Sequence, residues 1–205
     1  GQMEVIVNGF ISGVVLALLI GPVFFSIIQT SIEQGFRSGA FVAVGVSLSD
    51  AAYIALAYLG IYNIFDDDSF KEYLGYFGGI VLLMFGVYYV FIKSRKLGSV
   101  DAPAQRARQP WRLIGKGFVI NGLSPLVLIF WLGAVGVATT KFGYVSPTQA
   151  VPYFASIVST VFITDLIKAK LADKLRAMLA PKFVRSLNIV LGIVLLAFGV
   201  KMICY

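Results

Sequence analysis

The chain has 205 residues, of which 59% are hydrophobic, and a mean hydropathy of +0.88, which places it outside the soluble class. Its net charge of +7 raises nucleic acid as a partner, but the positive residues fall between long apolar runs, and nucleic acid is set aside. There is no histidine and one cysteine, Cys204. This excludes an internal disulfide, a paired-cysteine redox relay and a histidine-ligated metal, so any proton chemistry falls to carboxylates.

A hydrocarbon core about 30 Å thick needs roughly 20 apolar residues as a helix, and six runs approach or reach that length. The first is Val5 to Ile28, with helical continuation to Glu33. It lacks the basic leader of a secretory signal and reads as a retained helix. The second, Phe41 to Phe65, is interrupted only by Asp50. The third is Tyr73 to Ile92, and the fourth is Gly117 to Thr140. The fifth, Phe142 to Thr164, starts in earnest near Gln149, and the sixth runs from Ser186 to the end.

Loop charge orients these runs. The segments Lys93 to Lys116 and Lys168 to Arg185 are strongly basic, whereas the Asp66-Asp67-Asp68 turn is acidic. The positive-inside rule puts both basic segments in the cytoplasm. With six spans, both termini then lie outside, in a plasma membrane of the bacterial inner type.

Residues 94–112 form the only long polar segment and include Pro103 and Pro110. They divide the chain into a first three-helix unit, 1–93, a basic linker, 94–112, and a second three-helix unit, 113–205. Three helices per unit make the second unit enter the membrane from the opposite side. The fold class predicted is therefore all-α and integral to the membrane, with six transmembrane helices in two inverted repeats. The first and fourth helices should be broken, at Gly21-Pro22 and Ser124-Pro125. Each proline lacks an N–H and clashes with the carbonyl four residues earlier, so Pro22 frees that of Leu18 and Pro125 that of Asn121. Glycine pairs four apart, Gly9 and Gly13, Gly35 and Gly39, Gly75 and Gly79, read as sites of close helix approach.

Asp50 is the most informative residue. A charge at bilayer depth costs about 2.5–3.5 kcal/mol or more, so it must face a bundle interior or a water-filled route. Ser47 and Tyr53 share its helix face and Ser49 precedes it. Asp165 is the counterpart in the second unit. It follows a polar face of Ser156, Thr160 and Thr164 and precedes Lys168 by one turn, so a carrier role and an ion pair both stay open. Asn121 and Ser124 beside one break, and Ser26 and Gln29 beside the other, complete the candidate set. Half-helix N-termini suit a carboxylate and the acids suit an ammonium, so a zwitterionic or cationic small solute fits both. Asn8 and Ser12 read as helix-packing contacts.

The segment Thr30-Ser31-Ile32-Glu33-Gln34-Gly35-Phe36-Arg37-Ser38-Gly39, followed by Gly45 and Ser49-Asp50 and preceded by Gly21-Pro22, resembles the LysE/RhtB family of amino-acid exporters. The stretch Gly117-Phe118-Val119-Ile120-Asn121-Gly122-Leu123-Ser124-Pro125 resembles the same family's fourth-helix element. The chain departs from the family pattern at Val23-Phe24, which replace a second Gly-Pro, at Ser49, which replaces a glycine, and at Ser124 and Leu126, which replace an Asn and a Lys. The resemblance implies a secondary exporter of amino acids or related solutes, coupled to protons by alternating access, without cofactor or resident metal and not an enzyme. The alternatives are a divalent-cation exporter, a membrane enzyme and a structural partner protein. Association into a homo-oligomer is left open.

Overall fold

The computed structural model describes residues 1–58, 68–93, 109–144, 146–176 and 181–204. Asp66, Asp67 and the basic segment from Ser94 to Arg108 lie outside the described residues. Every regular element described is helical. In chain order these are α1 (Gln2–Ala17), α2 (Pro22–Gln34), α3 (Phe36–Tyr58) and α4 (Asp68–Val87), the last prolonged by a π-helical turn, Tyr88–Lys93. Then follow α5 (Pro110–Leu123), α6 (Pro125–Thr140), α7 (Pro147–Arg176) and α8 (Pro181–Cys204).

Proline placement explains where these helices begin. Of the chain's seven prolines, five (Pro22, Pro110, Pro125, Pro147 and Pro181) occupy the first position of a helix. There the fixed φ is already helical and the missing N–H is not needed. For this reason the fourth and sixth predicted helices start earlier than their apolar runs, the fifth starts at Pro147, inside its run and just ahead of Gln149, and α5 begins inside the segment read as linker. Pro152 lies within α7 and frees the carbonyl of Thr148, which accepts the side-chain amide of Gln2 at 3.3 Å.

Helices α3, α7, α8 and α4 with its π-turn are each long and apolar enough to cross a bilayer. Helices α1 and α2 form a pair bent by 73°, and α5 and α6 a pair bent by 67°. The described helices thus supply four spans, or up to six if each bent pair is one. The breaks fall where Gly21-Pro22 and Ser124-Pro125 predicted them. At the second, the Asn121 carbonyl does not stay free as expected, because the Ser124 N–H closes a tighter turn onto it at 3.3 Å. Between α2 and α3 the chain turns through Gly35 at φ 93°, a conformation that requires glycine.

Three pairings organise the bundle: α1 on α7, α3 on α5, and α4 on α8. Each closes over glycines. A Cβ on Gly9 would lie 2.6 Å from the Tyr153 carbonyl oxygen, and one on Gly79 would lie 2.7 Å from that of Gly199. At the α3–α5 crossing, Cβ atoms on Gly45 and Gly117 would overlap the carbonyls of Ile114 and Val42. As expected, Asn8 and Ser12 make packing contacts from α1, Ser12 bonding the hydroxyl of Tyr153 in α7 at 2.8 Å and Asn8 that of Tyr144 in the α6–α7 connection at 3.0 Å. Large apolar side chains, among them Phe10, Leu18, Phe77, Met84, Ile129 and Ile163, are exposed on the outer surface. Such a belt would aggregate in water and is at home in lipid.

Candidate functional site

Asp50 stands near the middle of α3 and is fully buried. Its Oδ1 accepts two hydrogen bonds, from Asn121 Nδ2 at 2.9 Å and from Trp131 Nε1 at 2.9 Å. Asn121 belongs to the last turn of α5 and Trp131 to the second turn of α6, so donors on both sides of one helix break hold the same oxygen. The other oxygen, Oδ2, has no hydrogen-bond partner among the described residues. Tyr53, one turn on, donates to the carbonyl of Gly122 at 2.6 Å and pins α3 to the end of α5.

Asp165 on α7 lines the same cavity as residues of the other break. It is 2% exposed. Its Oδ1 lies 3.4 Å from Lys168 Nζ, and its Oδ2 has no hydrogen-bond partner among the described residues. Lys168 Nζ donates to the carbonyl of Ala17, the last residue of α1, at 2.7 Å, and lies 5.6 Å from the centre of the Phe24 ring in α2. The sequence left an ion pair and a carrier role open for Asp165. The pair forms through one oxygen, and the other oxygen stays free.

Both carboxylates line one cavity of about 30 Å³. Asn121, Ser124, Lys168, Gly21 and Pro22 line it too. The breaks approach each other here: a Cβ on Gly21 would lie 2.9 Å from Leu126 Cδ1. Helices α2 and α6 start at this cavity, and neither carries a side-chain cap, so the N-cap side chains do not satisfy their first N–H groups. A volume of this size holds about two waters and falls well short of the several hundred cubic ångströms a bound solute occupies.

Not every predicted residue converges there. Ser47 and Ser26 have buried hydroxyls with no hydrogen-bond partner among the described residues but do not line the cavity. Ser49 is buried beside Gly122, and Thr164 bonds its own helix at the Val161 carbonyl. Gln29 belongs to a second polar cluster. Its amide bonds Glu33 and, at 3.1 Å, Asn188, while Asn188 bonds Glu33 at 3.1 Å. Lys116 joins this cluster, donating to Gln29 at 3.1 Å and to Thr30 at 2.8 Å. The cluster ties α2 to α5 and α8. Lys116 and Lys168 were counted as loop charges, yet both are helical and bonded to neighbouring helices, because long side chains carry a charge away from their backbone position.

Sequence reasoning missed Trp131. It lies inside an apolar run, and its only signal is that a buried indole N–H needs an acceptor. Among the described residues no group of three or more His, Cys, Asp or Glu comes together to hold a metal ion.

The family model for LysE type translocators matches residues 14–205. A protein of Bacillus subtilis, whose name assigns it provisionally to amino acid efflux, is 28% identical over 200 residues, covering 96% of this chain and 94% of its own length. An uncharacterized membrane protein of Pseudomonas aeruginosa is 28% identical over 167 residues, 78% of this chain and 73% of its own. A leucine efflux protein of Klebsiella pneumoniae is 25% identical over 126 residues, 60% of this chain and 58% of its own. No solved structure matches the chain.

Proposed function

The chain belongs to the LysE type translocator family, a family of transporters and not of enzymes, and on that premise we propose that it exports amino acids from the cytoplasm by proton-coupled alternating access. The observation that carries this reading is the cavity at the two helix breaks. It combines two buried carboxylates, each with one unpartnered oxygen, and two uncapped helix N-termini. The free oxygens suit an ammonium. The N-termini, each worth about half a positive charge, suit a carboxylate. Relatives named for amino acid efflux and leucine efflux agree with it.

The bent pairs α1–α2 and α5–α6 each count as one span, giving six. Helices 1–93 and 113–205 then form inverted repeats. The exchange between units supports this: α1 pairs with α7 as α5 pairs with α3, while α4 and α8 pair with each other. Each unit's acid lies at the cavity with a broken helix of the other unit, Asp50 bonded to Asn121 and Asp165 joined through Lys168 to Ala17. Both termini lie outside, in a bacterial inner membrane, with the basic loops in the cytoplasm.

Alternating access needs a closure on each side of the site. On one side a column of rings runs from Trp131 through Phe154 and Tyr153 to Tyr144, with successive centres 6.2, 5.2 and 5.3 Å apart. On the other, the Gln29–Glu33–Asn188–Lys116 cluster joins α2 of the first unit to α5 and α8 of the second. The rings all belong to the second unit and meet α1 of the first through the hydrogen bonds of Asn8 to Tyr144 and Ser12 to Tyr153, so opening either side breaks contacts between units.

Vesicles containing the purified protein and loaded with single amino acids test the reading. Efflux of at least one amino acid should rise several-fold when protons are made more concentrated outside than inside. Absence of efflux for every amino acid overturns the exporter reading, and efflux indifferent to the gradient overturns proton coupling.

A further inference from the structure

The charges around the cavity do not balance, and the imbalance has a definite size. The charged residues among those lining it are Asp50, Asp165 and Lys168. If both acids are ionised they leave one negative charge in excess. Lys168 is held by three groups: Asp165 Oδ1 at 3.4 Å, the Ala17 carbonyl at 2.7 Å and the Phe24 ring at 5.6 Å. Asp165 is thus partly consumed within the protein, whereas among the described residues the Asp50 carboxylate has neutral donors alone, Asn121 and Trp131. The rest of the wall is largely aliphatic, from Leu16, Leu19, Val46, Leu126, Val127 and Val161.

We infer that Lys168 sets the substrate class, restricting the site to amino acids with uncharged, aliphatic side chains and rejecting lysine, arginine and other dications. The inference rests on the exporter reading above. One α-ammonium cancels the excess charge at Asp50. The α-carboxylate is met by the N-termini of α2 and α6. A second positive charge on the side chain meets an Asp165 already neutralised by the Lys168 ammonium, which repels it, with the neutral Asn121 and Ser124 and hydrocarbon around them. An unmatched charge at membrane depth is disfavoured by roughly 100-fold. A branched aliphatic side chain meets a wall of its own kind.

Replacing Lys168 by an uncharged residue of similar length frees the second carboxylate and supplies the missing partner for a dication. Efflux of leucine and of lysine is measured from vesicles containing the parent protein, Lys168→Met, Lys168→Arg and the double variant Asp165→Asn/Lys168→Met. The parent should export leucine at least 10-fold faster than lysine. Lys168→Met should raise the lysine-to-leucine ratio by about 10-fold or more. The double variant, with the freed carboxylate removed again, should restore the parent's preference, and Lys168→Arg should keep it. A merely structural role for Lys168 would lower both fluxes together and leave the ratio unchanged, which overturns the inference. Equal export of lysine and leucine by the parent overturns it without any variant and leaves the exporter reading standing. No export of any amino acid by the parent overturns both.

Discussion

Asp50→Asn is expected to insert and assemble like the parent protein and to lose net export by at least about 30-fold. The substitution keeps the shape of the side chain and an Oδ1 able to accept from Asn121 and Trp131, whose donors lie 2.9 Å away. It removes the charge and turns the free oxygen in the cavity into an amide group. Burying an amide at this depth is easier than burying a carboxylate, so expression and thermal stability should hold or improve. Removing one partner of a buried charge pair costs about 2–5 kcal/mol, at the lower bound roughly 30-fold in rate or affinity. The two roles of Asp50 separate in one assay. If it carries protons, the variant loses pH-driven efflux and keeps solute exchange. If it only holds the solute's ammonium, affinity falls and the residual flux keeps its pH dependence. Unaltered transport by a well-folded Asp50→Asn protein would show that the carboxylate is structural.

Gly45→Ala and Gly117→Ala are each expected to destabilise the protein strongly, whereas Gly115→Ala, two residues from the latter, is tolerated. The first two methyl groups would enter the carbonyls of Ile114 and Val42, which are main-chain atoms with no rotamer to escape into. Overpacking of this kind costs about 1–3 kcal/mol and sometimes more. In a chain of this length that is a fall of roughly 2–12 °C in melting temperature. The Cβ of an alanine at Gly115 meets nothing within 4 Å, and alanine favours a helix over glycine by up to about 1 kcal/mol. Melting of the detergent-solubilised variants followed by intrinsic fluorescence measures all three. Equal stability of Gly117→Ala and Gly115→Ala would mean that α3 and α5 do not approach as closely as described. Because this crossing carries Asp50 and Asn121, destabilisation there should also abolish transport.

Much of this arrangement was legible in the sequence, because membrane burial leaves few ways to place a charge or a proline. Asp50, alone in its apolar run, had to find polar partners inside the bundle, and Asn121 beside the second break is one of them. Gly21-Pro22 and Ser124-Pro125 marked the bends. What could not be read was partnership between distant segments. Nothing in the apolar run around Trp131 announces that its indole donates to Asp50. Lys116 and Lys168 looked like loop charges because their reach into neighbouring helices depends on tertiary placement. Gln29, grouped by proximity with the first break, faces the Glu33 and Asn188 cluster instead, since helical phase and not sequence distance decides which face a residue joins. Helix starts were misplaced wherever a proline opened a helix ahead of its apolar run, as at Pro110 and Pro181.

The central claim is that the solute binds in the cavity between the two helix breaks. It is tested most directly by protection of a cysteine placed there. Ser124 is 1% exposed, lines the cavity and makes no side-chain cap, so Ser124→Cys is nearly isosteric. The exposed native thiol is removed by Cys204→Ser. Alkylation of the purified protein then proceeds only as the cavity opens. An exported amino acid should slow it at least several-fold, with half-protection near the concentration that half-saturates efflux, and an amino acid that is not exported should leave it unchanged. An alkylation rate unaffected by a solute at concentrations that saturate efflux would place the binding site elsewhere in the protein.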